Sequence, residues 1–354
     1  MNRIKIPFLL VLINLIITQQ TFAQQDSIVV ASTVEQFRAE KLYNEGVKLF
    51  EKKNYNEAIK KFDEAIQEQP DFDKAYSNRG IVKIELKNYT SAITDFDKAI
   101  SIKPSDYSYF GRGKAKYELK NMNEAFDDLT KAIEMDSTNA QAYYYRGGIY
   151  FQLNKYNEAI LDYDKSIDNE KDFAFAYNDR ASAKRQIEDY KGAIEDYTKA
   201  LILDDKSAFI YNNRGSVKSL NEDYKGAVED FTKAIKLKSD YYIAYNNRGK
   251  AKYETQDYDG ALADFNAALK IKADYVYALN NRGNVKHKQN KYQDAINDFD
   301  KAINIDPNYA YAYLNRGISK EMLRDDKGAC ADWQKAAELG LNSANNYINL
   351  QCNR

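Results

Sequence analysis

Residues 208–241 read AFIYNNRGSVKSLNEDYKGAVEDFTKAIKLKSDY, and residues 242–275 read YIAYNNRGKAKYETQDYDGALADFNAALKIKADY. Laid over each other without a gap, they share Tyr-Asn-Asn-Arg-Gly, then Asp-Tyr, Gly-Ala and Asp-Phe at the same places. Self-similarity at such a period marks a chain of stacked supersecondary units. The period runs outward from these two segments. Ala58, Ala92, Ala125, Ala159, Ala193, Ala227, Ala261, Ala295 and Ala329 lie 34 residues apart, with one interval of 33. Twelve residues before each stands Gly46, Gly80, Gly113, Gly147, Ala181, Gly215, Gly249, Gly283 or Gly317. Four residues after each comes a large apolar side chain: Phe62, Phe96, Leu129, Tyr163, Tyr197, Phe231, Phe265, Phe299 or Trp333.

This spacing predicts two short antiparallel helices per unit. Small residues such as Gly80 and Ala92 let two helices approach closely, and Tyr76 and Phe96 fill the space around the crossing. Asn88, Asp189 and Asp257 stand where the chain turns between helices. Pro70, Pro104 and Pro307 end second helices, because proline cannot continue a helix interior. One unit alone cannot bury its apolar face; stacked units can.

Composition narrows the function. The chain has 354 residues, with 30 Tyr and 16 Phe, enough apolar surface to argue against disorder. Only 4 Pro and 15 Gly argue against a turn-rich all-β fold. With 52 basic and 53 acidic residues, no electrostatic footprint for nucleic acid is present. One His and two Cys leave most metal and His-dependent schemes short of ligands, so no metal and no cofactor are expected. No phosphate loop, dinucleotide fingerprint or serine nucleophile elbow occurs, and no enzyme is expected.

Residues 1–23 read as a secretory signal peptide: Arg3 and Lys5, an apolar run from Ile6 to Ile17, then Thr21-Phe22-Ala23 as the cleavage site. The expected destination is export to the periplasm or cell envelope, or secretion. No later apolar stretch approaches membrane length, so no membrane span is expected in the mature chain. Residues 24–38 form a polar, then mixed, N-terminal leader.

The aromatic, the Gly, the Ala-x3-Phe and the closing Pro over 34 residues resemble the tetratricopeptide repeat family. The resemblance covers residues 39–343 as nine repeats beginning at Ala39, Asp73, Asp106, Ala140, Ala174, Ala208, Tyr242, Val276 and Ala310, and residues 344–354 then form a cap. It implies an all-α, right-handed superhelical solenoid of antiparallel helix pairs. First helices line a concave groove in this family, and the groove usually binds peptides or partner proteins.

One departure reads as structure. The family usually has Leu at the seventh position of the repeat; here repeats two to nine carry Arg79, Arg112, Arg146, Arg180, Arg214, Arg248, Arg282 and Arg316. Sixteen residues later stand Asp95, Asp128, Asp162, Asp196, Asp230, Asp264, Asp298 and Asp332. Repeat one has Glu45 and Lys61, with both signs swapped together. The two positions therefore touch, one ion pair per repeat. An anion-binding Arg stripe is the competing reading. Lys83 and its equivalents, one turn on, extend the seam with their ammonium groups in water.

The resemblance places groove-facing side chains on the first helices. Its sixth position carries Asn44, Asn78, Asn213, Asn247, Asn281 and Asn315, a row similar to the asparagine ladder of the O-linked N-acetylglucosamine transferase repeats. Amides donate and accept, which suits an extended backbone; a family habit on a solvated face is the alternative. Tyr43, Phe110, Tyr117 and Tyr144 make the N-terminal groove aromatic, or else cover the neighbouring repeat. The carboxylate clamp of some relatives is not supplied by any repeat.

Cys330 replaces an apolar residue that faces the next unit, and that unit ends in Cys352. A disulfide between them is expected in an oxidising compartment, with two buried or free thiols as the alternative. His287, at groove position twelve, reads as a solvated surface residue. The whole reads as a non-catalytic protein–protein interaction scaffold that binds an extended peptide or partner protein. The alternative is a structural subunit of an envelope assembly held through its convex face or ends. Partner identity and oligomeric state are not legible.

Overall fold

The computed structural model describes residues 33–352. The expected signal peptide, residues 24–32 of the leader and the last two residues lie outside the described part. Among the described residues there are helices and turns and no strand. They fall into two compact units, divided between Lys155 and Tyr156.

The N-terminal unit holds α1 (33–51), α2 (Tyr55–Glu68), α3 (Asp73–Glu85), α4 (Tyr89–Ile102), α5 (Asp106–Glu118), α6 (Met122–Met135) and α7 (Ala140–Gln152). The C-terminal unit opens with α8 (Tyr156–Asn169), α9 (Ala174–Gln186), α10 (Tyr190–Leu203), α11 (Ala208–Leu220) and α12 (Tyr224–Leu237). It continues through α13 (Tyr242–Glu254), α14 (Tyr258–Ile271), α15 (Val276–Lys288), α16 (Tyr292–Ile305), α17 (Ala310–Met322) and α18 (Asp326–Glu338). The short α19 (Ala344–Tyr347) and a wider last turn, Ile348–Cys352, close it. Odd-numbered helices from α1 to α17 are first helices of repeats, and even-numbered ones are second helices.

Most helix pairs close on an aromatic ring; α5 and α6 close on Leu129. A Cβ added at Gly215 would stand 2.9 Å from Phe231, and one at Gly80 would stand 2.8 Å from Phe96. The glycine is therefore the socket for the ring, and both sides are buried: Phe96 and Phe231 are 0% and 1% exposed.

The turn inside each repeat uses left-handed backbone without glycine. Lys87, Glu188, Glu222, Gln256 and their equivalents all have φ near +60°. At the first of these, Asn88 N–H bonds to Lys83 C=O and Lys87 N–H to Ile84 C=O, both at 2.8 Å. This is a Schellman closure, which satisfies carbonyls that the helix end leaves open. Asn88 itself, one residue on, makes no side-chain cap. Asp189, Asp223, Asp257 and Asp325 do: each carboxylate accepts from the N–H of a glycine three residues later, at 2.9–3.0 Å. The glycine leaves room for the cap, since a Cβ at Gly226 would run into the Asp223 carboxylate and push it off the N–H.

The Arg and Asp rows meet within every repeat whose two helices share a unit. Arg248 Nε and Nη2 donate to the two oxygens of Asp264 at 2.9 and 2.6 Å, a bidentate pair. Arg79–Asp95, Arg112–Asp128, Arg180–Asp196, Arg214–Asp230, Arg282–Asp298 and Arg316–Asp332 are alike. In repeat one, Lys61 lies 3.4 Å from Glu45. The lysines one turn on differ from their reading in sequence. Lys83 and Lys252 put their ammonium groups on the same aspartates, at 2.6 and 2.9 Å, instead of reaching water. A buried carboxylate with two cations beside it is more fully compensated than one with a single partner, which is why the lysine turns inward.

The third guanidinium nitrogen reaches further, to the preceding repeat. Arg79 Nη1 pairs with Asp63, Arg214 Nη1 donates to Thr198 at 3.0 Å and Arg282 Nη1 to Asn266 at 2.8 Å. The seam thus joins neighbouring repeats as well as the two helices of each.

At the C-terminus, Trp333 fills the last socket and packs on Tyr347, with ring centroids 5.2 Å apart. Cys330 and Cys352 are disulfide-bonded across this cap. Asn345, Asn346, Asn349 and Gln351 face solvent.

Candidate functional site

The first helices of the C-terminal unit line three concavities in series. The largest, about 440 Å³, lies over α9, α11 and α13 between Arg185 and Glu254. Lys250 and Glu254 continue into a second of about 150 Å³, which adds Asn281 and Asn284. Asn284 and Tyr253 continue into a third of about 290 Å³, bounded by His287, Asn315 and Tyr347. Helical periodicity produces this: positions six, nine, twelve and thirteen of a first helix share one face.

The Asn row sits along this groove, in a form the sequence shows only partly. The amide nitrogens of Asn247, Asn281 and Asn315 donate to the amide oxygens of Asn212, Asn246 and Asn280 in the preceding repeat, at 3.1, 2.9 and 2.9 Å. The acceptors, at position five, are buried. The sixth-position amides remain half-buried, each with one N–H committed, and the Asn247 oxygen also accepts from the Asn246 amide nitrogen at 3.3 Å. The signal for this link is an Asn–Asn spacing of 35 residues, one more than the repeat.

The first rung is open. Among the described residues the Asn213 side chain makes no hydrogen bond, and the oxygen of Asn178, which stands 35 residues before it, is buried and unpartnered. The Asn178 nitrogen turns instead to the carboxylate of Asp179, at 2.8 Å.

In the N-terminal unit the row is spent differently. Asn78 donates to the Tyr43 hydroxyl at 2.7 Å and accepts from Tyr107 at 3.0 Å. Asn44 is exposed beside Phe37, Glu40 and Lys48. In repeat three the sixth position is Gly111, where a Cβ would run into the Phe96 ring, so packing forbids an amide there.

The aromatic candidates turn mostly inward. Tyr43 packs on Phe62 and Phe72, at 5.8 and 5.2 Å between centroids. Phe110 is buried against Tyr145. Tyr117 and Tyr144 are half-buried against the same ring, at 5.3 and 5.4 Å. Burial pushes the Tyr145 phenol up to about 12. Tyr107, not singled out from the sequence, is the more open ring, in a concavity of about 350 Å³ with Tyr43, Asn78 and Lys103.

His287 is not a solvated surface residue. It is half-buried, and its Nδ1 lies 2.9 Å from the Ser319 hydroxyl. Ser319 donates its own proton to the Asn315 carbonyl, so Nδ1 is the donor to Ser319. Burial, with Lys288 nearby, holds the His287 pKa below its ordinary value.

No group of three or more metal-ligating side chains gathers among the described residues. Nor is any described helix long and apolar enough to cross a membrane.

Solved structures share this architecture. The C-terminal part of a TPR repeat-containing protein from Cytophaga hutchinsonii matches 68% of the chain over 98% of its own length, with 20% identity and TM-score 0.55. A tetratricopeptide repeat protein from Parabacteroides merdae matches 70% of the chain over 98% of its own, with 18% identity and TM-score 0.52. The APC/C hetero-tetramer Cut9-Hcn1 matches 86% over 76%, with 15% identity and TM-score 0.53. At these identities the likeness shows the fold. No curated protein sequence matches the chain. Tetratricopeptide repeat models match residues 39–72, 73–106, 107–139, 140–173, 176–206 and 210–241, and TPR repeat models match 249–290 and 283–323. With most of its length matched in tandem, the chain belongs to the tetratricopeptide repeat family.

Proposed function

We propose that the protein is an exported, non-catalytic scaffold of the periplasm or cell envelope that holds an extended segment of a partner protein in its first-helix groove. Tetratricopeptide repeats in general serve protein–protein interaction. In this reading residues 1–23 are the signal, 24–38 a leader, 39–343 the nine repeats and 344–354 the cap.

The observation that carries the groove reading is the series of concavities from Arg185 to Tyr347, with a sixth-position amide in each. An extended chain has lost its own hydrogen-bond partners, and a row of amides offers both donors and acceptors to it. Because Asn247, Asn281 and Asn315 are already tied to the preceding repeat, their side chains are held in place before a ligand arrives. That reduces the ordering cost of binding.

The experiment replaces Asn213, Asn247 and Asn281 by alanine and measures partner capture together with the urea midpoint. Lost capture in a folded variant supports the groove. Unchanged capture transfers the role to the second helices, where Leu161 and Ile202 are 64% and 71% exposed.

A further inference from the structure

The cations of the seam between paired helices are compensated. Seven seam arginines, within the two units, each hold an aspartate, and Arg38 lies 3.2 Å from Glu68. Arg185 and Lys250 lie outside that seam, on the groove face. Neither has a carboxylate within ion-pair distance among the described residues, and both line the 440 Å³ concavity. Arg185 comes from position twelve of repeat five and Lys250 from position nine of repeat seven, so they approach one hollow from two sides.

The polar groups between them are also short of partners. The open rung leaves the Asn213 side-chain amide, which lines the hollow, without a hydrogen bond among the described residues. The Ser219 hydroxyl is buried and unpartnered. Asn247 keeps one N–H after its bond to Asn212. Ser216 is committed, as a donor, to the Asn212 carbonyl, which leaves its oxygen to accept. Glu254 is the one acid on the rim, so the two cations outnumber it. Phe231 and Ala251, both 1% exposed, form a dry floor. Unsatisfied donors over a low-dielectric floor favour an anion, because a charge-assisted hydrogen bond is about twice as strong as a neutral one.

We propose that this hollow is a carboxylate subsite, built by Arg185 and Lys250 with Asn213, Asn247 and Ser219, and that it sets the register of the bound segment. The carboxylate is an Asp or Glu side chain of the segment or its C-terminal end. These positions are different from those of the clamp that no repeat supplies. The proposal rests on the groove reading and gives it a specificity: one acidic position in an otherwise backbone-read ligand.

The test is peptide selection on the purified protein. One library displays random dodecapeptides with blocked C-termini, and a second displays them with free C-termini. The wild type is compared with the Arg185→Gln/Lys250→Gln variant, both residues being exposed and outside the folding core. The expected result is one enriched acidic position in the blocked library, or a free-terminus requirement in the second. Replacing that acid by its amide then weakens binding about tenfold, which corresponds to ~1.4 kcal/mol. The double variant loses the preference while still selecting peptides, and Arg185→Glu turns it toward Lys or Arg. Peptides selected with no acidic or terminal preference, or the same preference in the double variant, overturn the subsite and leave the groove standing. If neither library yields a binder, both readings fall.

Discussion

The amide nitrogen of Asn281 donates to the amide oxygen of Asn246 at 2.9 Å, across the boundary between two repeats. The donor is half-buried on the groove face, and the acceptor is buried behind it. One side chain therefore ties two repeats together and still lines the groove in which the proposed segment would lie. Asn246→Ala is expected to leave the Asn281 amide without its anchor, to remove the bond from Asn246 to Asn247 as well, and to lower stability by about 1–2 kcal/mol, the net worth of two such bonds. It is also expected to weaken ligand binding. Asn213→Ala, at the open rung, is expected to weaken binding with an unchanged urea midpoint.

The seam makes a second prediction. Asp230 is 3% exposed and faces Arg214 and Lys218, at 2.6 and 2.9 Å. Asp230→Ala leaves two cations facing a vacated site and is expected to cost about 3 kcal/mol. Asp230→Ala with Arg214→Leu is expected to cost less than that single change. Additive losses in the double-mutant cycle, followed by urea unfolding, contradict the pairing.

The cap glycines predict a change of sign. Gly226→Ala sets a methyl group against the Asp223 carboxylate and is expected to destabilise by about 1 kcal/mol, the value of an N-cap. In an Asp223→Ala background the same substitution is expected to stabilise by about 0.5–1 kcal/mol, because alanine is the better helix former. Four melting curves decide it.

The C-terminal staple predicts that the native protein has no thiol open to alkylation. The bonded cysteines are 22 residues apart in sequence. Closing a loop of that order stabilises by roughly 3 kcal/mol in the chain-entropy picture. Cys330→Ser with Cys352→Ser is expected to loosen α18, α19 and the last turn first. Amide hydrogen exchange should show lost protection there, with α11–α14 unchanged.

His287 gives a pH dependence. Its folded pKa is depressed below the ordinary value of 6.5, so the unfolded chain binds the proton more readily. The stability it contributes is complete above the unfolded value and falls as pH drops through the folded one. The loss is small for a half-exposed ring. It should appear as a lower urea midpoint at pH 5 than at pH 7.5, with a smaller difference in His287→Gln.

The helix pairs were legible because Gly215, Ala227 and Phe231 recur at fixed offsets, and such offsets have a single helical solution. The partners of Arg214 within its repeat were legible from the spacing to Asp230 and from the swapped signs of Glu45 and Lys61. Its reach to Thr198 was not, because the seventh position of one repeat and the twenty-fifth of the one before show no covariation of charge: Asp63, Thr198 and Asn266 all accept from arginine. The Asn–Asn rungs were hidden for a similar reason. A 34-residue register aligns equivalent positions, whereas the bond joins position six to position five. Solvation of single side chains was hardest to read. His287 and Lys252 both turn inward, because a hydroxyl or a carboxylate from another helix awaits them.

The central claim is that a partner lies along the first helices of the C-terminal unit. It is tested most directly by placing a photo-crosslinking residue at Ser216 or Asn284 on the groove, and at Glu229 on a second helix, then irradiating the purified protein in native envelope extract. Adducts with one protein are expected from both groove positions, joined through one continuous segment of it, and few from Glu229. Adducts confined to Glu229, shared among several proteins, would contradict it and favour a structural subunit held from outside.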